Sequence, residues 1–249
     1  MNVGRMGAAI PPVTKNLLII NALLWLATIA FRQSGFVDLE QYLGLHFWRA
    51  HDFNVAQMFT YMFMHDSTGI THLFFNMFSL WMFGVTLERV MGPKKYLFYY
   101  LTCGLGAAVV QQLTWEFTWQ NEFIVAMANQ NGLTFDQVRN LMASGELNDI
   151  IQQFHGMLVT VGASGAVFGI LLAFGMLFPN LPMYIIPFPF PIKAKWMVIG
   201  YGLVELFFGM AGVMNGVAHF AHLGGMLFGF ILLMYWRKNM RGGYGNGYY

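Results

Sequence analysis

The chain has 249 residues, of which 57% are hydrophobic and only 10% are charged, and its mean hydropathy is +0.53. Soluble domains carry about 25% charged residues, so this composition excludes an ordinary soluble protein and indicates a multipass membrane protein. The net charge of +2 gives no reason to expect nucleic acid as a partner, and a single cysteine excludes an intrachain disulfide.

Six apolar stretches separated by polar segments predict six membrane-spanning helices, and therefore an all-α, polytopic fold with one domain over residues 15–241. In chain order the predicted spans are 17–31, 70–91, 96–113, 156–178, 196–213 and 217–236. No small-residue cleavage site follows the first stretch, so it is predicted to be a helix and not a signal peptide. The remaining segments are predicted as a cytoplasmic N-terminal segment (1–14), a first outer loop (33–69), an extramembrane insert (111–155) and a flexible tail (242–249).

Basic residues predict how these spans are oriented. They lie beside alternate ends of the six spans and so fall on one side: Arg5, Lys15, Lys94, Lys95, Lys193, Lys195, Arg237, Lys238 and Arg241. By the positive-inside rule, both termini are cytoplasmic, and the starts of spans two, four and six lie outside. Because no transit peptide is present, the bacterial inner (plasma) membrane is the expected location.

Two polar groups suited to acyl transfer occur in different spans. Ser164 lies in the sequence Gly-Ala-Ser-Gly of span four, and His222 lies in the sequence His-Leu-Gly-Gly of span six. Polar groups inside a membrane are costly and indicate a functional site by default. A serine becomes a nucleophile when a histidine within hydrogen-bond reach takes its proton. Counted from the predicted helix starts, both groups lie roughly 8 to 12 Å below the outer ends of their helices.

Small residues are predicted to bring these two helices close together. Gly165 and Gly169 follow the serine in span four, and Gly225 and Gly229 follow the histidine in span six. A Gly-xxx-Gly face allows two backbones to approach closely. The glycines therefore predict direct packing of span four against span six.

Span two carries the groups that an oxyanion hole needs. His72 and Asn76 are four residues apart, which puts the imidazole and the carboxamide on one face of a helix. Both groups can donate hydrogen bonds to a developing negative oxygen. Their position near the outer end of the span allows them to converge on the serine and the histidine.

The combined motifs resemble those of the rhomboid intramembrane serine proteases. They are His72-xxx-Asn76, Gly162-x-Ser164-Gly165 and His222-xx-Gly225-xxx-Gly229. The motifs fall in spans two, four and six, in that order, and the resemblance covers nearly all of residues 15–240. It implies a six-helix rhomboid bundle that cleaves single-pass transmembrane proteins near their extracytoplasmic ends, with substrate and lipid as its partners and with no cofactor.

The resemblance also implies a role for individual residues. Ser164 would be the nucleophile and His222 the general base, in a catalytic pair without an acidic third member. Asn76, His72 and the backbone N–H of Ser164 would form the oxyanion hole. Phe168, one turn after the nucleophile, would pack against the imidazole. The Trp-Arg pair of many rhomboids is missing just before span two, since Trp48-Arg49 comes too early to match it.

Some features keep other interpretations open. His219 and His222 could form a metal site with His72 or His65, but no suitably placed carboxylate or thiolate is evident, so no metal is predicted. Glu205, near the middle of span five, is consistent with a buried hydrogen bond or with substrate passage. The alternative functions are a non-catalytic rhomboid-like protein that binds transmembrane helices and a small-solute channel or transporter.

Overall fold

The computed structural model describes residues 9–184, 190–211 and 218–241, and the predicted tail and the first eight residues lie outside this part. Its helices are α1 (Pro12–Ser34), α2 (Leu39–Leu43), α3 (Gln57–Thr60), α4 (Ile70–Met91), α5 (Pro93–Asn131), α6 (Phe135–Ser144), α7 (Asn148–Met157), α8 (Ser164–Leu177), α9 (Ala194–Ala211) and α10 (His219–Arg241). Two short antiparallel ribbons pair β1 (Leu45–His46) with β2 (Val159–Thr160) and β3 (Pro182–Met183) with β4 (Ile192–Lys193).

The predicted all-α membrane bundle is confirmed. Its six members, α1, α4, α5, α8, α9 and α10, lie where the six spans are predicted, and α4 has the predicted bounds. Within the described residues, α1, α4, α9 and α10 are long and apolar enough to cross a membrane, and α8 is a shorter apolar helix. Large apolar side chains such as Phe75, Leu203 and Phe207 point outward, as contact with lipid requires. The chain is an integral membrane protein.

Span four starts later than predicted. The residues before Ser164 form the end of α7, strand β2 and a turn, and α8 begins at the serine itself. Gly162 has a φ of 137°, a conformation that side chains disfavour, so the helix cannot extend back through it. With 14 residues, α8 is about 21 Å long, less than the roughly 30 Å of a hydrocarbon core. The depth counted from a helix start at residue 156 is therefore wrong, because Ser164 opens its helix.

The extramembrane insert begins as a continuation of α5. Span three is predicted to end at residue 113, whereas α5 runs for 39 residues, about 58 Å, before Gly132 ends it with a left-handed φ of 65°. A capping box then starts α6, in which the side chains of Thr134 and Gln137 each accept the other's backbone N–H. Most of the insert is therefore helical.

One carboxylate ties the first outer loop to the base of the insert. Glu116, on the extension of α5, accepts the indole N–H of Trp48 at 2.7 Å and pairs with the guanidinium of Arg49 through both oxygens. The hydrogen bonds from Arg49 and Trp48 lower the pKa of Glu116 to about 2. The Trp-Arg sequence of this chain thus anchors the loop to the insert.

Helix α8 lies at the centre of the bundle. It contacts α4, α5, α9 and α10, and most of its residues are buried. Helix α10 packs mainly on α5 and α8, and α1 packs mainly on α4. Helix α9 contacts chiefly α8 and α10 and is largely exposed. Because α8 is central, its first residue, Ser164, lies near the starts of α4 and α10.

At the end of the bundle opposite Ser164, two contacts join helix ends that carry basic residues. The backbone N–H and the hydroxyl of Thr14 donate to Glu88 at 2.7 and 2.8 Å, which joins the start of α1 to the end of α4. The ammonium of Lys95 lies 6.0 Å from the ring centre of Trp236, which joins the start of α5 to the end of α10. The starts of α4, α8 and α10 consequently lie at the other end.

Candidate active site

The side chains of Ser164 and His222 are in direct contact. The Oγ atom of Ser164 lies 2.7 Å from Nε2 of His222, although the residues are 58 positions apart in the chain. Ser164 is partly exposed at the start of α8, whereas His222, in the first turn of α10, is only 8% exposed. The contact has the distance that a nucleophile and its general base need.

Glycine permits the crossing of α8 and α10 at this point. A Cβ atom on Gly225 would overlap the carbonyl oxygen of Gly165, so the two backbones touch directly. A Cβ atom on Gly169 would crowd Cys103 in α5, and one on Gly229 would crowd the hydroxyl of Tyr99 in the same helix. The predicted glycines therefore lie at close contacts, but α5 is a third member of the junction that the glycine spacing does not predict.

The ring of Phe168 covers one face of the imidazole. Its centroid is 4.3 Å from that of His222, and the two planes differ by only 5°. Phe168 follows Ser164 by one helical turn, so both side chains leave α8 on the same side. On α9, the ring of Tyr201 meets Phe168 edge-on at 6.5 Å. The stack fixes the plane in which the imidazole faces the serine.

His72 borders the turn that precedes the serine. A Cβ atom on Gly162 would lie 2.9 Å from Nε2 of His72 and 3.5 Å from Oγ of Ser164, so both groups flank the backbone of this glycine. Asn76 is buried one turn further along α4, and its Nδ2 donates to the carbonyl of His72 at 3.0 Å. An amide group has two N–H donors, and this bond uses one.

Tyr61 hydrogen-bonds to the same turn. It is not among the predicted site residues. Its carbonyl accepts the N–H of Gly162 at 3.0 Å, and its hydroxyl donates to the carbonyl of Gly104 in α5 at 2.8 Å. Tyr61 is only 3% exposed. Its place in an apolar run of the first outer loop predicts an interfacial segment and gives no signal of burial beside the nucleophile.

A carboxylate faces the far side of His222, where the resemblance implies none. The Oε2 atom of Glu205 lies 2.9 Å from Nδ1 of His222 and 2.7 Å from Nδ1 of His219. Two signals in the sequence point to this cluster: an acidic residue in an apolar span, and two histidines at a spacing that shares a helical face. Neither signal shows that spans five and six bring these groups together.

The same cluster has the composition of a metal site. Within the described residues, Glu205, His219 and His222 each offer a ligand atom within 4.8 Å of the others. This corrects the premise that no carboxylate lies near the histidines. One oxygen of this carboxylate is already hydrogen-bonded to Nδ1 of each imidazole. These bonds are enough to explain why the three groups lie together. That the protein needs no metal stays a prediction.

The sequence of this chain matches a known protein family. Residues 52–239 match the family model described as the rhomboid domain. Over 216 residues, or 85% of this chain, the sequence is 28% identical to RHOMBOID-like protein 4 of Arabidopsis thaliana. It is 25% identical to RHOMBOID-like protein 1 of the same plant over 213 residues, also 85% of this chain.

A relative from another kingdom gives a similar match. The chain is 25% identical over 167 residues, 67% of its length, to the Saccharomyces cerevisiae protein named Rhomboid protein 1, mitochondrial. The matches cover 40% of each Arabidopsis protein and 38% of the yeast protein. The chain therefore spans about two fifths of the length of these relatives.

Proposed function

Because the chain belongs to the rhomboid family, we propose that it is a serine endopeptidase that cleaves transmembrane segments of other membrane proteins. The observation that carries this proposal is the 2.7 Å contact between Oγ of Ser164 and Nε2 of His222 inside an apolar bundle. A hydroxyl and an imidazole in hydrocarbon are costly, and this pair has the geometry of a nucleophile with its base.

The proposed reaction proceeds through an acyl-enzyme. The Oγ atom of Ser164 attacks the carbonyl carbon of the peptide bond while its proton passes to Nε2 of His222. The tetrahedral intermediate then collapses, the C–N bond breaks, and the leaving amine takes the proton from Nε2. Water attacks the acyl ester with the same base, which releases the second product and restores the serine.

Three groups are proposed to stabilise the negative oxygen of the intermediate. Since α8 begins at Ser164, the backbone N–H of that residue has no partner within the helix and lies at the positive end of the helix dipole. His72 borders the same turn, and Asn76 has a second amide N–H to offer. Donors fixed in place before the reaction stabilise such charge without a cost of reorganisation.

The proposed substrates are single-pass transmembrane proteins that approach from lipid. Their helices conceal the peptide groups in hydrogen bonds, so residues that weaken a helix near the cut, such as glycine or proline, should favour cleavage. The partial exposure of Ser164 gives both substrate and water access to the nucleophile.

We further propose that the active site faces the extracytoplasmic side and that both termini are cytoplasmic. The support is the distribution of basic residues: most of those that flank the spans, from Lys15 to Lys238, lie at the end of the bundle opposite Ser164, and Arg32, Arg49 and Arg139 are the exceptions among the described residues. The bacterial inner membrane stays a prediction, since the relatives compared above come from a plant and a yeast.

Labelling with a fluorescent fluorophosphonate tests this proposal. The detergent-solubilised protein should become covalently labelled, and Ser164→Ala and His222→Ala should abolish the label. Ser144→Ala removes an exposed serine of the insert and should label like the wild type. A folded wild type that stays unlabelled, beside an active rhomboid that labels, would contradict the proposal and favour a protein that binds transmembrane helices without cleaving them.

A further inference from the structure

We infer that Glu205 is a positioning residue for His222, so that this chain uses a Ser-His-Glu arrangement and not an isolated pair. The inference rests on the proposed function, because it concerns the same nucleophile and base. It adds a role for two groups that do not contact Ser164 in the described structure, the carboxylate of Glu205 on α9 and the imidazole of His219 on α10.

The geometry places three groups in a line. On one side of the His222 ring, Nε2 lies 2.7 Å from Oγ of Ser164, and on the other side Nδ1 lies 2.9 Å from Oε2 of Glu205. Glu205 is 9% exposed and His222 is 8% exposed, so both groups are largely shielded from solvent. This is the order of contacts that the serine, histidine and acid of a catalytic triad make.

The carboxylate selects which nitrogen of His222 carries the proton. A carboxylate accepts hydrogen bonds and does not donate them, so Nδ1 must bear the hydrogen that Oε2 of Glu205 accepts. The lone pair of the neutral ring is then on Nε2, which is the atom that faces the Ser164 hydroxyl. Only this tautomer can take the proton of the serine.

The same carboxylate stabilises the charge that forms during the reaction. When the proton of Ser164 moves to Nε2, the imidazole of His222 becomes a cation. A negative charge hydrogen-bonded to the opposite nitrogen lowers the energy of that cation, and the effect is larger in an apolar interior than in water. In a serine protease triad, replacing the acid by its amide lowers kcat about 10⁴-fold because the wrong tautomer forms.

His219 holds the carboxylate where His222 needs it. Its Nδ1 lies 2.7 Å from the same oxygen atom of Glu205, and its ring is 6.5 Å from that of His222 at nearly a right angle. Two hydrogen bonds from α10 therefore restrain a long side chain of α9, a helix that is largely exposed. A buried carboxylate with a purely structural purpose would equally need two donors, so the experiment must separate the two roles.

The decisive variants are Glu205→Gln and Glu205→Asp, compared with Glu122→Gln, which neutralises an exposed carboxylate on α5. Rates of fluorophosphonate labelling at several concentrations give the maximal rate constant and the half-saturating concentration separately. Glu205→Gln should lower the maximal rate at least about 100-fold with little change in half-saturation. Glu205→Asp, which keeps the charge but shortens the reach, should lie between Glu205→Gln and the wild type.

Thermal unfolding of each variant separates positioning from structure. A Glu205→Gln protein that stays folded but labels slowly supports the inference, as does an Asp variant with a reduced maximal rate if the Gln variant does not fold. A folded Glu205→Gln protein with the wild-type maximal rate overturns it, as does a Glu205→Asp protein with that rate if the Gln variant does not fold. A wild type that does not label at all refutes the proposed function instead, so the two failures are distinguishable.

Discussion

The imidazole of His222 lies parallel to the ring of Phe168, with the two centroids 4.3 Å apart. The stack joins the base on α10 to the helix that carries the nucleophile, because Phe168 follows Ser164 by one turn of α8. Aromatic pairs of this kind contribute about 0.5–1.5 kcal/mol beyond the area that they bury.

Removal of this ring should slow the reaction without abolishing it. We expect Phe168→Ala to lower the rate of fluorophosphonate labelling about 2- to 10-fold, the kinetic equivalent of the stacking energy. Phe168→Tyr retains the stack and should label at nearly the wild-type rate. Equal labelling of the Ala variant and the wild type would show that the contact does not orient His222.

Asn76 should matter to the chemical step and not to substrate binding. Loss of one oxyanion donor lowers kcat about 10²–10³-fold in serine proteases, so Asn76→Ala should do the same in a cleavage assay while KM changes little. Asn131→Ala is a matched control, since its side chain makes the same bond to the carbonyl four residues earlier, at 3.0 Å, but on the exposed end of α5. An Asn76→Ala protein with wild-type kcat would exclude Asn76 from the oxyanion hole.

A methyl group at Gly225 should separate α8 from α10. The added carbon would overlap the carbonyl oxygen of Gly165, and overpacking of this kind costs about 1–3 kcal/mol or more. Gly225→Ala should therefore lower both the thermal midpoint in detergent and the labelling of Ser164. Gly200→Ala on α9 meets no atom within 4 Å and should be neutral or slightly stabilising. Similar midpoints for the two variants would contradict the close crossing.

The contact between Glu116 and the first outer loop should depend on pH. The pKa of Glu116 is about 2 in the folded protein against an ordinary value of 4.5, because Arg49 and Trp48 donate to the carboxylate. The folded state therefore binds this proton more weakly than the unfolded state. The contribution of the Glu116 carboxylate to stability is complete above about pH 4.5 and declines as the pH falls toward 2.

Glu116→Gln should accordingly lower the thermal midpoint at pH 7, and the difference from the wild type should shrink progressively below pH 4.5 and become small near pH 2. The effect at pH 7 should be about 1 kcal/mol or less, because the pair is partly exposed to solvent. Glu122→Gln on the same helix should show no difference at either pH. A Glu116→Gln deficit that is as large at pH 2 as at pH 7 would mean that the carboxylate charge is not the cause.

Much of the architecture is predictable from the order of residues alone. Apolar stretches must cross the membrane as helices because backbone groups find no partners in lipid, so the six spans and the bounds of α4 follow from hydropathy. The candidates Ser164, His222, His72 and Asn76 are identifiable because polar groups are conspicuous in apolar helices. The start of α8 is not predictable in the same way. An apolar sequence does not show that Gly162 adopts a positive φ, which prevents the helix from beginning before Ser164.

The grouping of Glu205 with the two histidines is decided only by the tertiary structure. Hydropathy gives the approximate place of each span but not its rotation, and a one-residue shift around α9 turns a side chain by about 100°. Whether the Glu205 carboxylate faces lipid or His222 depends on how α9 packs against α8 and α10. The sequence determines the helices and their reactive groups, and the packing of these helices decides which groups come within hydrogen-bond distance.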